Sequence, residues 1–236
     1  MSNQLIAALL LTAPCLAHAD AWSGEISAGY LATTGNSSSR ALNAKGALTY
    51  LNGPWKNSTV ATAVTSADHG VTTAESYTAG DKLDYNFTEH DYAFGSVEWA
   101  KDLFGGIRER YSETVGYGRH LLTGPVHKLD AEIGGGARQT TDQGTLDHHD
   151  DIIGRAALTY GWKISDTAAF AENLKSEFGE SNTYVESATE LKVIIIGSLA
   201  ASLSYLVKHN THVAPGIGKT DTQTAANLSY SFGAKS

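Results

Sequence analysis

The chain has 236 residues, with 17 Lys and Arg against 25 Asp and Glu, for a formal net charge of −8. That balance argues against nucleic acid as a partner, because a phosphate backbone calls for a basic face. One cysteine, 24 glycines and four prolines exclude a disulfide framework and suit antiparallel strands joined by tight turns.

Residues 1–19 begin Met-Ser-Asn-Gln, continue as an apolar run from Leu5 to Leu16 and end Ala17-His18-Ala19 before Asp20. A short apolar core ahead of an Ala-x-Ala site reads as a cleaved export signal, too short to span a bilayer. It carries no Lys or Arg, and Cys15 follows Pro14, the wrong context for lipidation. The expectation is a signal over 1–19 and a single domain over 20–236 without cysteine. Past the signal, the longest strongly apolar run is Val193-Ile194-Ile195-Ile196. A membrane location would therefore require a closed barrel, since only helices and closed barrels satisfy their backbone in lipid.

From Trp22 onward, side chains alternate between apolar and polar, and turn chemistry interrupts the pattern at regular intervals. Trp22, Gly24, Ile26, Ala28 and Tyr30 share one face of the first strand, which breaks at Gly35-Asn36. Leu42, Ala44, Gly46, Leu48 and Tyr50 form the second, ended by Asn52-Gly53-Pro54. Val60, Thr62 and Val64 mark the third, closed by Asp68-His69-Gly70. Tyr77, Ala79, Leu83 and Tyr85 mark the fourth; Ala93, Gly95, Val97 and Trp99 the fifth; Tyr111, Val115 and Tyr117 the sixth.

The second half repeats the design. Leu129, Ala131, Ile133, Gly135 and Ala137 line the seventh strand, and a polar loop is expected over 142–150. Ile152, Gly154, Ala156, Leu158, Tyr160 and Trp162 give the cleanest alternation. Phe170, Leu174 and Phe178 follow, then Val185, Ser187, Thr189, Leu191, Val193 and Ile195, then Ala201, Leu203, Tyr205 and Val207. After a long loop over 210–219 comes the last strand, with Ala226, Leu228, Tyr230 and Phe232 opposite Gln223, Asn227, Ser229 and Ser231.

These segments predict an all-β fold: a closed, antiparallel, up-and-down transmembrane barrel of about 12 strands, with 10 as the alternative count. Loops after odd-numbered strands look longer than turns after even-numbered ones, as that topology requires. The opposite faces carry Glu25, Lys45, Lys82, Asp84, Glu98, Asp130, Glu132, Arg138, Arg155, Glu186, Glu190 and Lys192. They would line a lumen with paired charges, or form the wet faces of a soluble β-sandwich, the competing fold. Asp81, Glu113 and Glu172 fall on the apolar face, where each calls for a bulge, a register shift or a position near the interface.

Several motifs also carry a resemblance. They are Trp22-Ser-Gly-Glu-Ile, Thr34-Gly35-Asn36-Ser, Ala74-Glu-Ser-Tyr77, Glu177-Phe-Gly-Glu-Ser-Asn182-Thr-Tyr184, Tyr205-Leu-Val-Lys-His-Asn210 and Leu228-Ser-Tyr-Ser-Phe232. Together they resemble the YdiY-like family of salt-induced outer-membrane proteins, a domain family without an assigned function. The resemblance implies a bacterial outer-membrane barrel and brings no catalytic residues and no cofactor. Its surroundings would be outer-membrane lipid and lipopolysaccharide, and it would stand as a monomer. Leu228, Tyr230 and Phe232, close to the C-terminus, are the expected signal for the barrel-assembly machinery, although four residues follow Phe232.

Two clusters carry possible chemistry. Asp147-His148-His149-Asp150-Asp151 has ligand types for a divalent ion but no recognised spacing, and reads first as a solvated external loop. His209 and His212 would need a nucleophile within hydrogen-bond reach, and Ser204 and Thr211 are poor candidates. The expectation is therefore not an enzyme but a membrane barrel, either a narrow small-solute channel or a protein of the envelope stress or salt response. A lipid-modifying hydrolase and a soluble periplasmic binding protein are the alternatives.

Overall fold

The structure, a computed structural model, describes residues 22–33, 39–103, 105–213 and 216–233. The expected signal, Cys15, the Gly35-Asn36 break and the residues after Gly233 lie outside the described residues. Twelve strands follow one another: β1 (Trp22–Thr33), β2 (Ser39–Asn52), β3 (Trp55–Asp68), β4 (Val71–Asn86), β5 (Asp91–Asp102) and β6 (Ile107–Thr123) make the first half. The second half holds β7 (His127–Asp142), β8 (His148–Lys163), β9 (Ala168–Phe178), β10 (Thr183–Ile196), β11 (Leu199–Asn210) and β12 (Thr220–Gly233).

Each strand pairs antiparallel with its neighbours in sequence, and β1 pairs with β12 to close the ring. Closure removes the sheet edges that a sandwich would leave, so every strand has a partner on both sides. The count is twelve, not ten.

The barrel is inverted in polarity. Ile26, Tyr30, Val115, Ile133 and Ile152 are 59–85% exposed on the outside. The buried residues instead include Arg138, Glu177, Asp151, Ser229 and Thr114. An apolar outer band this extensive has no place in water, whereas it matches the hydrocarbon of a bilayer. Aromatic pairs ring the end where β1 begins and β12 ends: Trp22–Tyr50 at 4.4 Å, Trp55–Tyr85 at 4.6 Å and Tyr160–Phe170 at 6.4 Å between centroids. Toward the other end stand Tyr30, Trp99, Tyr111 and Phe178. Two aromatic girdles around an apolar band mark a membrane-spanning barrel.

Three expectations need correction. Val60, Thr62 and Val64 face the lumen: Thr62 lies opposite Lys45 and its hydroxyl meets that of Thr78 at 2.6 Å. Trp55, Thr59 and Ala61 hold the outer face of β3. Both faces of this strand carry small side chains, so hydropathy gave its phase no contrast. The polar loop is shorter than 142–150, because β7 runs through Asp142 and β8 starts at His148. Loop parity is also weak: the β3–β4 connection, after an odd strand, is only His69-Gly70, with φ of 49° and 83°. Positive φ at both central positions makes the tight hairpin that a twisted strand pair favours.

Asp81 and Glu172 point outward with no register shift beside them. Their charge is met from the adjoining strand instead. Asn57 Nδ2 donates to both Asp81 carboxylate oxygens at 2.7 and 2.8 Å. Ser187 Oγ and Thr189 Oγ1 donate to the two Glu172 oxygens at 2.7 and 2.5 Å. Directed hydrogen bonds replace some of the hydration that lipid cannot supply. Glu113 is exposed on the same outer surface, also in regular register between Val97 and Ala137.

Candidate functional site: the lumen

Every inward charge named from the sequence does face the lumen, and half of them join one continuous network with Lys56, Lys175, Glu177 and Asp151. Lys56 lies 3.8 Å from Asp84, and Asp84 lies 2.8 Å from Lys82. Lys82 pairs with Glu132, which faces Arg155 at 3.7 Å. Arg155 reaches Glu98 at 2.9 Å, and Glu98 holds Lys175 at 2.5 Å. Lys175 is 4.0 Å from Glu177, Glu177 is 3.5 Å from Arg138, and Arg138 is 2.8 Å from Asp151. The signs alternate at every step. Paired in this way, each charge is compensated where water is scarce.

This ladder rises from near the terminal end of β3 to the loop between β9 and β10. There Ser181 donates its N–H and its hydroxyl to Asp151, and Arg138 donates to the Asn182 carbonyl, each at 2.5–2.9 Å. Arg138 and Glu177 are 1–2% exposed at their side chains. Beside the ladder, the Arg110 guanidinium lies 4.1 Å over the Tyr184 ring, whose hydroxyl donates to Glu186.

Beneath the ladder lies an aromatic layer. Tyr92 and Phe94 point inward from β5 and are 2% and 4% exposed. Tyr92 lies opposite Gly118 and Phe94 opposite Gly116, so each ring flattens onto a position without a side chain. A Cβ on Gly118 would stand 2.1 Å from the Tyr92 ring. Lys82 sits over both rings at about 5 Å and Arg155 over Phe94 at 5.7 Å. The Tyr92 hydroxyl donates to Glu132 at 2.8 Å. Glycine, ring, cation and carboxylate thus stack in order from wall to centre and fill this side of the lumen.

The opposite side is built differently. There β2 and β3 present Asn43, Ala47, Thr49, Ser58, Val60 and Thr62, and β12 presents Ala225, Asn227 and Ser229. A cavity of about 330 Å³ opens at the loop end, lined by Asn43, Ser66, Ser76, Asp102, Lys208 and Asp221 among others. Lys208 of β11 reaches across to Asp102 of β5 at 3.2 Å.

The sequence-level clusters do not assemble into a site. His148 and Asp150 point outward while Asp151 points inward to Arg138, so the five-residue run divides between two faces. Among the described residues, no group of three or more His, Cys, Asp or Glu is placed to hold a metal ion. His209 meets Thr220 Oγ1 at 2.8 Å on the outside, whereas Ser204 turns inward to the Ala225 carbonyl. Leu228, Tyr230 and Phe232 stand on the outer face, with Tyr230 and Leu228 opposite Ile26 and Ala28 of β1. The sequence reading missed Lys175, Glu177, Arg110 and Lys56 in the lumen. Lys175 and Glu177 alternate with Leu174 and Phe178, so strand phase alone would have found them.

A family model described as "Protein of unknown function, DUF481" matches residues 26–232. The chain belongs to that family. A relative, the Escherichia coli K12 protein YdiY, is 33% identical over 212 residues, covering 89% of this chain and 82% of that protein. Among solved structures, the NanC porin aligns over 91% of this chain and all of its own, with a TM-score of 0.51 and 10% identity. An outer-membrane channel from Pseudomonas putida F1 aligns over 90% and 95% of the two chains, with a TM-score of 0.52 and 10% identity. At that identity the likeness is one of fold. This DUF481 member is thus a membrane β-barrel whose lumen is packed on one side and lined mainly by small side chains on the other.

Proposed function

We propose that this DUF481 barrel is an outer-membrane channel of narrow bore for small hydrophilic solutes. The end where β1 begins and β12 ends faces the periplasm with its short turns, and the loop end with its cavity faces outward. The observation that carries the reading is the asymmetry of the lumen. The ladder fills one side, while the side opposite offers small side chains and an open cavity that carries Asp102, Lys208 and Asp221 among its lining. The two proteins of similar fold, a porin and an outer-membrane channel, are consistent with this reading.

In the same proposal the barrel is a monomer surrounded by phospholipid and lipopolysaccharide, and Leu228, Tyr230 and Phe232 are read by the assembly machinery. Single-channel recording of the refolded protein in planar bilayers tests the central claim. The expected result is a small, steady conductance that increases when the ladder is thinned by the paired change Glu98→Ala with Arg155→Ala. Removing both partners keeps the ladder neutral and leaves Lys175 with Glu177 and Glu132 with Lys82. A bilayer that stays silent with both proteins, each shown to be folded by a heat-dependent gel shift, rejects the channel.

A further inference from the structure

We infer that the permeation path runs along the β2–β3 wall and that the Lys45 ammonium at its midpoint makes the path prefer small anions. This rests on the channel reading above.

The path begins at the loop-end cavity, whose lining includes Asn43 and Val64. These two residues lie directly opposite each other on β2 and β3. The next inward pair toward the terminal end is Lys45 with Thr62, then Ala47 with Val60, then Thr49 with Ser58, and finally Lys56 of β3. Every side chain in this sequence is small except the two lysines. Val60 points inward and is still 38% exposed, so free space adjoins the wall at that level.

The lysines differ from the other lumen charges in how they meet that space. Their side chains are 45% and 41% exposed, while those from Lys82 to Asp151 along the ladder are 1–33% exposed. Their carboxylate partners are set further back: Glu190 is 24% exposed and Asp84 only 5%. The pairs are also long, at 3.6 Å for Lys45–Glu190 and 3.8 Å for Lys56–Asp84. Asp84 is already engaged by Lys82 at 2.8 Å. An ion moving along this wall therefore meets ammonium groups before it meets carboxylates.

Other charges near the path weigh less. Glu25 and Lys192 face each other in a close pair of similar exposure, 22% and 26%, and largely cancel. At the mouth, Asp221 adds a carboxylate beside the Asp102–Lys208 pair. It is the second residue of β12, at the solvent-facing end, where high dielectric weakens its field. Lys45 sits midway along β2, between low-dielectric walls that focus the field of a single charge. Charged side chains at such a level set the sign of ion selectivity in pores.

The test is the reversal potential of the refolded full-length barrel in a planar bilayer across a potassium chloride gradient. Potassium and chloride have nearly equal mobility, so the sign of the potential reads charge preference directly. The wild-type protein is expected to favour chloride, Lys45→Gln to lose most of that preference, and Lys45→Glu to favour potassium. A wild-type potential at zero or on the potassium side, with clear conductance, overturns the anion assignment and leaves the channel standing. A wild-type chloride preference that persists unchanged in both Lys45 variants overturns the role of Lys45. Absence of conductance in all three folded proteins overturns the channel and this inference together.

Discussion

The two sides of the lumen solve different problems with the same residue types. On the ladder side, Arg138 and Glu177 are almost wholly buried, and every charge has a partner of opposite sign on another strand. On the β2–β3 side, Lys45 and Lys56 keep nearly half of their side-chain surface in contact with water and hold their partners loosely. Burial decides what a charge is worth: a desolvated charge depends on its partner, and a hydrated one hardly does. The ladder side props the barrel, and the β2–β3 side leaves room beside it.

The largest expected effect therefore lies on the ladder side. Arg138→Ala strands Glu177 and Asp151 without a cation and is expected to cost about 3–5 kcal/mol. Urea unfolding of the refolded protein in lipid, followed by tryptophan fluorescence, measures it. A loss under about 1 kcal/mol would put Arg138 with the hydrated charges, and the contrast between the two sides would fail.

The aromatic layer gives a second, smaller effect. Gly118→Ala places a methyl against Tyr92, whose hydroxyl is tied to Glu132, so the ring cannot simply swing aside. Overpacking of this kind costs about 1–3 kcal/mol. Gly46 of β2 has no heavy atom within 4 Å of where a Cβ would stand. Gly46→Ala should leave the unfolding midpoint unchanged, and equal losses at both glycines would deny the layer its role.

The outer surface obeys the same rule in a still less forgiving solvent. Replacing Ser187 and Thr189 together by Ala removes both donors to Glu172 and should cost about 1–3 kcal/mol. Adding Glu172→Leu should restore the midpoint, because no carboxylate is then left facing lipid. If the triple variant is no more stable than the double, hydrogen bonding is not what makes Glu172 tolerable there.

Apart from the Gly46 control, the smallest stability effect belongs to Lys45. Lys45→Ala is expected to change stability by about 0–1 kcal/mol, which the same unfolding assay checks. A loss as large as that for Arg138→Ala would show that the β2–β3 side is also a prop and contradict the open path.

What the sequence determined by itself was the barrel, because lipid on one face and polar groups on the other impose a period of two that local reading can follow. Strands such as β8, with Ile152 through Trp162 in phase, were legible for that reason, and so was the inward set of charges. β3 was not, since Val60, Thr62, Ala61 and Ala63 offer no contrast between faces. The ends of β7 and β8 were not either, because pairing across Thr140–His149 and Thr141–His148 extends the ladder of hydrogen bonds through residues that look like loop. Only the tertiary structure decided which charges meet. Glu25 pairs with Lys192, and Asp102 with Lys208, across gaps of 167 and 106 residues. Those meetings depend on how far each strand is staggered when the sheet closes. The register between neighbouring strands set Tyr92 and Phe94 on glycines of β6, and it set Asn57, Ser187 and Thr189 beside the outward carboxylates. Period and hydropathy act within one strand, whereas stagger belongs to the ring as a whole.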